Sequence, residues 1–163
     1  MNIKHLKQPY VLVLIGPPLS GKDTWIRNNF SDGEIVMVSR DQIVLDVYGS
    51  DNYDEAFKNV NQKAVDAELQ RQLKQSSEDG KNVIINMTNM TSKRRVHNLS
   101  HFGSEYTKIA VIFPILEWEE YRNRNIKRQQ EEMKFIPEQV IKNMIGSYQP
   151  INPSEGFDKI VSL

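Results

Sequence analysis

Cysteine is missing from all 163 residues, which excludes disulfides, thiolate metal centres and a cysteine nucleophile. An excess of charge is missing too. Lys plus Arg is 21 and Asp plus Glu is 21, so the chain does not coat nucleic acid through bulk charge, and any basic site must be local. Long apolar runs are also absent. Met1 to Tyr10 is polar, with Lys4 and Lys7, and the apolar run behind it, Val11 to Ile15, is short. A secretory core needs about 7–15 apolar residues and a membrane helix about 20. The chain therefore reads as soluble and intracellular, with no membrane partner. No internal repeat, low-complexity tract or flexible linker interrupts it. What is present, 39% hydrophobic and 26% charged, is ordinary globular composition, and the length suits one domain, residues 1–163, with a substantial core.

Short apolar runs alternate with helical patterns. Val11–Ile15 is continuous rather than alternating, as a strand buried on both faces requires. Further strands are expected around Glu34–Ser39, Val83–Ile85, Ile109–Phe113 and Lys159–Leu163. Between them the pattern predicts helices over Thr24–Phe30, Asp54–Gln75, from an N-cap at Ser92 to Gly103, over Glu117–Glu132 and from Pro137 onward. In the long second helix, Phe57, Val60, Ala64 and Ala67 form the expected apolar stripe, with Leu69 and Leu73 adjoining. Such alternation implies an α/β fold, a mainly parallel sheet with helices on both faces.

The strongest chemical signal follows the first strand: Gly16-Pro17-Pro18-Leu19-Ser20-Gly21-Lys22-Asp23-Thr24. It fits the P-loop spacing Gly-x-x-x-x-Gly-Lys, with Asp in place of the usual Ser or Thr. Successive backbone N–H groups form a concave anion site, Gly21 allows close backbone approach, and the next helix adds the partial positive charge of its N-terminus. Lys22 reaches the β/γ-phosphates as a mobile point charge. Asp23 is the magnesium-shell candidate, since that ion prefers oxygen ligands and keeps waters, and Thr24 is a neighbouring hydroxyl. The competing reading is a glycine turn followed by a solvated Lys-Asp pair. The flanking strand and helix favour the phosphate loop. A dinucleotide Gly-x-Gly-x-x-Gly pattern is absent, which disfavours nicotinamide and flavin.

Asp41, in Ser39-Arg40-Asp41, stands at the C-terminal end of the second strand, the edge where open α/β sheets bind ligands. Its carboxylate can take a proton from an attacking hydroxyl, or it can N-cap the helix carrying Ile43, Val44 and Val47. Arg124 and Arg128, four apart in the densest basic segment, share one helix face and can clamp a phosphate. The alternative there is a solvated helix laced by Glu117, Glu119, Glu120 and Glu131. Lys93, Arg94 and Arg95 either touch phosphates or face solvent. His5, His97 and His101 show no ligand pattern.

Gly16 to Trp25, Ser39-Arg40-Asp41, Asn86-Met87-Thr88-Asn89 with Lys93-Arg94-Arg95, Arg124-Asn125-Ile126-Lys127-Arg128 and Ile136-Pro137 stand in a familiar order. This series resembles the kinase domain of phage-type polynucleotide 5′-hydroxyl kinases. The resemblance implies a P-loop kinase fold with a five-stranded parallel sheet, order 2-3-1-4-5, and a helical lid bearing the arginines. It implies ATP or another NTP as donor, Mg2+ as cofactor, and a nucleic acid with a 5′-hydroxyl end as acceptor. Residue by residue, Lys22 would hold the donor phosphates, Asp41 would be the general base and Arg40 would lie beside it. Thr88 and Asn89 would line the acceptor pocket, and Arg124 and Arg128 would close over the β- and γ-phosphates. Three positions depart from the family pattern: Met87 replaces an Asp, Val44 replaces a basic residue used on the acceptor's phosphate, and Asp23 replaces the loop serine. A phosphatase domain found C-terminally in some relatives is not expected. The alternatives are a P-loop kinase for a small molecule or modified nucleobase, or a nucleotide-dependent switch working through a partner.

Overall fold

The computed structural model describes residues 6–31 and 33–163; Lys4 and His5 lie outside the described residues. Strand β1 (Tyr10–Ile15) is buried along its whole length, because a run with both faces covered has no polar side to alternate with. The sheet is completed by β2 (Val36–Ser39), β3 (Val83–Asn86), β4 (Thr107–Ile112) and β5 (Lys159–Ser162). Every pairing is parallel and the order is β2-β3-β1-β4-β5. This is the topology implied by the resemblance.

Seven helices occur among the described residues: α1 (Lys22–Asn29), α2 (Arg40–Tyr48), α3 (Tyr53–Asn59), α4 (Gln62–Glu78), α5 (Ser92–Leu99), α6 (Trp118–Glu132) and α7 (Glu138–Gly146). Neighbouring residues of β1 point to opposite sheet faces. Val11, Val13 and Ile15 pack with Val65, Leu69 and Leu73 of α4, while Leu12 and Leu14 pack towards Trp25 and Ile26 of α1. A third cluster, Tyr121, Ile136 and Ile141, joins α6 to α7. No helix among the described residues is long and apolar enough to cross a membrane.

The helix expected over Asp54–Gln75 is two helices. Val60 is extended, and the Asn61 side chain accepts from the backbone N–H groups of Lys63 and Ala64, opening α4 as a new element. The buried stripe of α4 is therefore Val65, Leu69, Leu73 and Ser76, and Ala67 faces out. An Asn cap can restart a helix wherever tertiary packing turns the chain, which periodicity alone does not reveal. Thr91, not Ser92, caps α5, and Pro137 precedes α7 instead of beginning it.

Arg95 corrects a larger expectation. It neither faces solvent nor meets phosphate; its side chain is fully buried. Its Nε and Nη2 grip both carboxylate oxygens of Glu155 at 2.7 and 2.8 Å. Nη1 donates to the carbonyls of Asn89 and Met90, and Nη2 also reaches that of Gln149. Every N–H of the guanidinium is thereby used. The group staples the loop after β3 to the chain segment after α7. Loss of one partner would leave a buried, uncompensated charge.

Arg95→Met or Glu155→Gln is accordingly expected to lower stability by about 3–5 kcal/mol in chemical denaturation, and the double apolar replacement by much less. The Arg95 guanidinium holds the Glu155 carboxyl below its ordinary pKa. A depressed folded value means the stabilisation is complete above the unfolded pKa and is lost as pH falls through the folded one. Wild type should thus lose stability below about pH 4.3 more steeply than Glu155→Gln.

Candidate functional site

The loop between β1 and α1 is shaped by two glycines. A Cβ on Gly16 would lie 2.8 Å from Ser20 Oγ and 2.9 Å from Phe113 Cβ, and Gly21 has φ +96°, a conformation other residues adopt only with strain. Leu19 is also left-handed, at φ 65°. Gly21 caps α1 without any side-chain hydrogen bond, so no capping side chain competes for the N–H groups of that helix's first turn. That is the geometry of an anion cradle. Lys22 is folded back into the loop, with Nζ donating to the carbonyls of Gly16 (2.9 Å) and Pro17 (2.6 Å). Burial pulls its pKa down to about 8, against the charges of Asp23 and Asp41 and helped by Arg128. Asp23, Asp41 and Arg128 are thus near enough for their charges to act on Lys22, beside the C-terminal edge of the sheet.

Asp41 does not cap α2. Ser39 does, its Oγ accepting from Gln42 N at 3.5 Å, which leaves the Asp41 carboxylate free in the first turn. Enclosure by the cleft raises its pKa; Arg128 opposes the rise, Asp23 adds to it, and Lys22 and Arg40 oppose it. The side chain is still open to solvent. Asp23 Oδ1 accepts from the Asn86 amide at 2.8 Å. Asn86, at the end of β3, carries no role in the sequence pattern, and no feature of the sequence pairs it with Asp23.

Two carboxylates repelling one another beside a cradle for phosphate suit magnesium. That ion binds one or two carboxylates, substrate phosphates and several waters. Among the described residues, no three His, Asp or Glu side chains gather to hold a metal by themselves. The donor set fits an ion that arrives with phosphate, and Asp23 is the side chain that would hold it. Thr24 is exposed, its hydroxyl accepting from Arg27 at 3.3 Å.

The two arginines of α6 have different fates. Arg124 Nη1 donates to the Leu19 carbonyl at 2.9 Å and its Nε to Glu120 at 2.6 Å. Arg128, 19% exposed, pairs at 3.8 Å with Glu132 and lies over the Tyr53 ring, 5.2 Å from its centroid. Both reach the loop side of α6. Arg122 and Lys127 take the surface pairings expected of a charged helix, with Glu138 and Glu131. Buried Asn125 ties the hairpin together by donating to the Ile136 carbonyl at 2.7 Å and accepting its N–H at 3.1 Å.

On the other flank, Thr88 is half-buried and its carbonyl accepts from Gly16 N at 3.0 Å. Asn89 corrects its expected place in an acceptor pocket: it is 1% exposed, and its amide donates to the Leu14 carbonyl at 2.8 Å. The physical reason is its left-handed backbone (φ 47°), which turns the side chain inward to meet a backbone group at the end of β1. Met87 and Val44, two of the departures from the family pattern, are core residues. Arg40 rests on Gln62 of α4. Arg94 stands 3.7 Å from Asp66, one turn further along α4, and Asp66 Oδ1 is buried without a hydrogen bond. A groove of about 510 Å3 along Val47, Ala64 and Ala67 holds none of these groups.

The AAA domain family matches residues 11–151. No curated protein sequence matches the chain. Among solved structures, it is similar to a chain of the Pnkp1/Rnl/Hen1 RNA repair complex, at 24% identity and TM-score 0.68 over 90% of this chain and 46% of that one. This chain thus spans about half the length of that relative. It is also similar to a gluconokinase from Sinorhizobium meliloti, at 9% identity and TM-score 0.59 over 97% and 83%. A chain of the PezAT toxin–antitoxin system of Streptococcus pneumoniae matches at 18% identity and TM-score 0.64 over 96% and 67%. These likenesses establish a P-loop kinase-like fold, which implies nucleotide binding.

Lys22→Ala should weaken ATP binding by at least about 100-fold, the loss of a charge-assisted hydrogen bond to phosphate in a cleft. Arg124→Ala should weaken it about tenfold while barely changing the melting temperature, because a half-exposed ion pair holds under about 1 kcal/mol. Calorimetric titration and thermal melting check both.

Proposed function

Because the chain belongs to the AAA domain family, we propose that its P-loop carries out phosphoryl transfer: residues 1–163 act as one kinase domain that moves the γ-phosphoryl group of ATP, or another NTP, to a hydroxyl. The acceptor is the 5′-hydroxyl of DNA or RNA. The observation that carries this reading is Lys22 folded into the Gly16–Gly21 loop, with Asp41, Asp23 and Arg128 near enough for their charges to act on it. A switch that only binds nucleotide has no need of an unpaired carboxylate beside its phosphate cradle.

The chemistry follows from the groups present. Lys22 leaves the Gly16 and Pro17 carbonyls and grips the β- and γ-phosphates. Asp41 accepts the proton of the attacking hydroxyl as its oxygen bonds to phosphorus, and the bond to the β-phosphate oxygen breaks. Arg124 and Arg128 neutralise the charge that gathers on the transferring group and the departing diphosphate. Asp23 would hold magnesium, which when bound would further neutralise and orient the phosphates. A raised pKa suits Asp41 as a base, since a stronger base accepts the proton more readily once ionised.

For a polynucleotide acceptor the support is local. Arg40 and Arg94 both lean on α4, against residues one turn apart, and neither is held by a short ion pair. They can be drawn off by successive phosphates of a strand, with Arg94 serving in place of the basic side chain that core-bound Val44 does not supply. Thr88 would line the space between. The likeness to a chain of an RNA repair complex agrees with this acceptor. A small-molecule acceptor is the second reading, favoured by Val44 and by the zero net charge.

Asp41→Asn is expected to cut transfer by about 10²–10⁴-fold while leaving ATP affinity within a few-fold of wild type. In wild type the acid limb of the rate profile should lie above the usual carboxylate pKa of about 3.9. A labelled-phosphate assay against 5′-hydroxyl oligonucleotides, nucleosides and sugars is the deciding experiment; turnover of a sugar alone would replace the polynucleotide with the second reading. Arg94→Ala should raise the oligonucleotide KM and lower the salt slope by about 0.7 for each phosphate it leaves unpaired.

A further inference from the structure

Tyr53 opens α3, where Asn52 accepts from the backbone N–H of Glu55 and sets the helix's first turn beside α2. No motif draws attention to it. Its ring is half-buried, with Phe57 packed at 4.3 Å between centroids. Two cations from the α6–α7 hairpin meet this one ring: the Arg128 guanidinium at 5.2 Å from the centroid and Lys134 Nζ at 5.5 Å. Both lie within the range at which the ring's quadrupole attracts a cation. The ion pair of Arg128 with Glu132 is long, at 3.8 Å. Lys134 has one at 3.5 Å with the same carboxylate, Glu132.

We infer that Tyr53 is a positioning residue that clasps the arginine-bearing hairpin through Arg128 and Lys134, aiming Arg128 into the cleft of Lys22 and Asp41 before a nucleotide arrives. Leu19 of the loop packs on the hairpin's apolar cluster, but the hairpin's charged groups reach the site on long, flexible side chains, and each of these would lose rotamer freedom on binding phosphate. A ring fixed on another helix removes part of that cost in advance. The environment of the Tyr53 hydroxyl agrees with such a junction. Burial raises its pKa to about 12, the Asp41 charge adds to this, and Arg128 opposes it. The hydroxyl therefore stays neutral at any working pH, so the ring holds Lys134, and ring and neutral hydroxyl together hold Arg128.

Naming the phosphate of ATP as what Arg128 meets rests on the phosphotransferase reading; the clasp itself does not. The experiment therefore has two arms. In the first, without nucleotide, backbone amide exchange is followed across residues 126–136 in wild type, Tyr53→Phe, Tyr53→Leu and the double variant Arg128→Gln with Lys134→Gln. Tyr53→Phe, which keeps the ring, should stay close to wild type, and the other two should exchange about tenfold faster in that segment alone. The double variant changes only lid side chains, so it decides the matter even if Tyr53→Leu does not fold. Unchanged exchange in it overturns the inference.

In the second arm, ATP affinity is measured by calorimetry. Tyr53→Leu should weaken it about tenfold in the wild-type background and not at all in Arg128→Ala, because Tyr53 acts only through that arginine. Independent, additive losses would overturn the inference and mark Tyr53 as merely structural. If wild type binds no ATP, the phosphotransferase reading fails and the exchange arm alone judges the clasp.

Discussion

A central strand that touches no water constrains every other part of this protein. β1 must be flanked by strands on both edges and helices on both faces, and parallel pairing then sends the chain back across the sheet after each strand. All the connections leaving strand C-termini consequently emerge along one edge. The phosphate cradle after β1, the Arg40–Asp41 turn after β2 and the Asn86–Asn89 segment after β3 are neighbours for that reason. Short main-chain bonds then lock them, above all Gly16 N to the Thr88 carbonyl and the Asn89 amide to Leu14.

Within that edge the electrostatics are unfinished. Burial pushes Lys22 towards its neutral form and Asp41 towards its own, so each group carries a charge the cleft only partly compensates. The lysine borrows loop carbonyls as partners, and Asp23 borrows an amide from Asn86. A triphosphate with its metal would supply what both lack. Burial draws the pKa values of Lys22 and Asp41 towards each other, and perturbed values of this kind gather at functional sites more often than elsewhere.

Four arginines show how little residue type says by itself. Arg95 is an internal staple with every donor used; Arg124 braces the cradle through the Leu19 carbonyl; Arg128 rests on an aromatic ring and points into the cleft; Arg94 waits on a long ion pair at the surface. Sequence spacing distinguished the α6 pair from their neighbours, because residues four apart share a helix face. It could not separate Arg94 from Arg95, since consecutive residues on a helix differ by about 100° in direction and only the packing partner decides which side is the interior.

The order of strands and helices along the chain, the glycine loop with its lysine, and the placement of Asp41 just after the second strand were all readable from the chain. They follow from local physics: apolar runs, glycine positions, and a charged residue at a helix start. The division of the long helix at Asn61, the inward turn of Asn89, the Arg95–Glu155 staple, the Asn86–Asp23 bond and the ring of Tyr53 beneath two cations were not readable. Each depends on groups that lie far apart along the chain, or on a turn imposed by packing. Local preference constrains a residue's backbone, but which distant side chain it meets is settled only when the whole sheet has closed around β1.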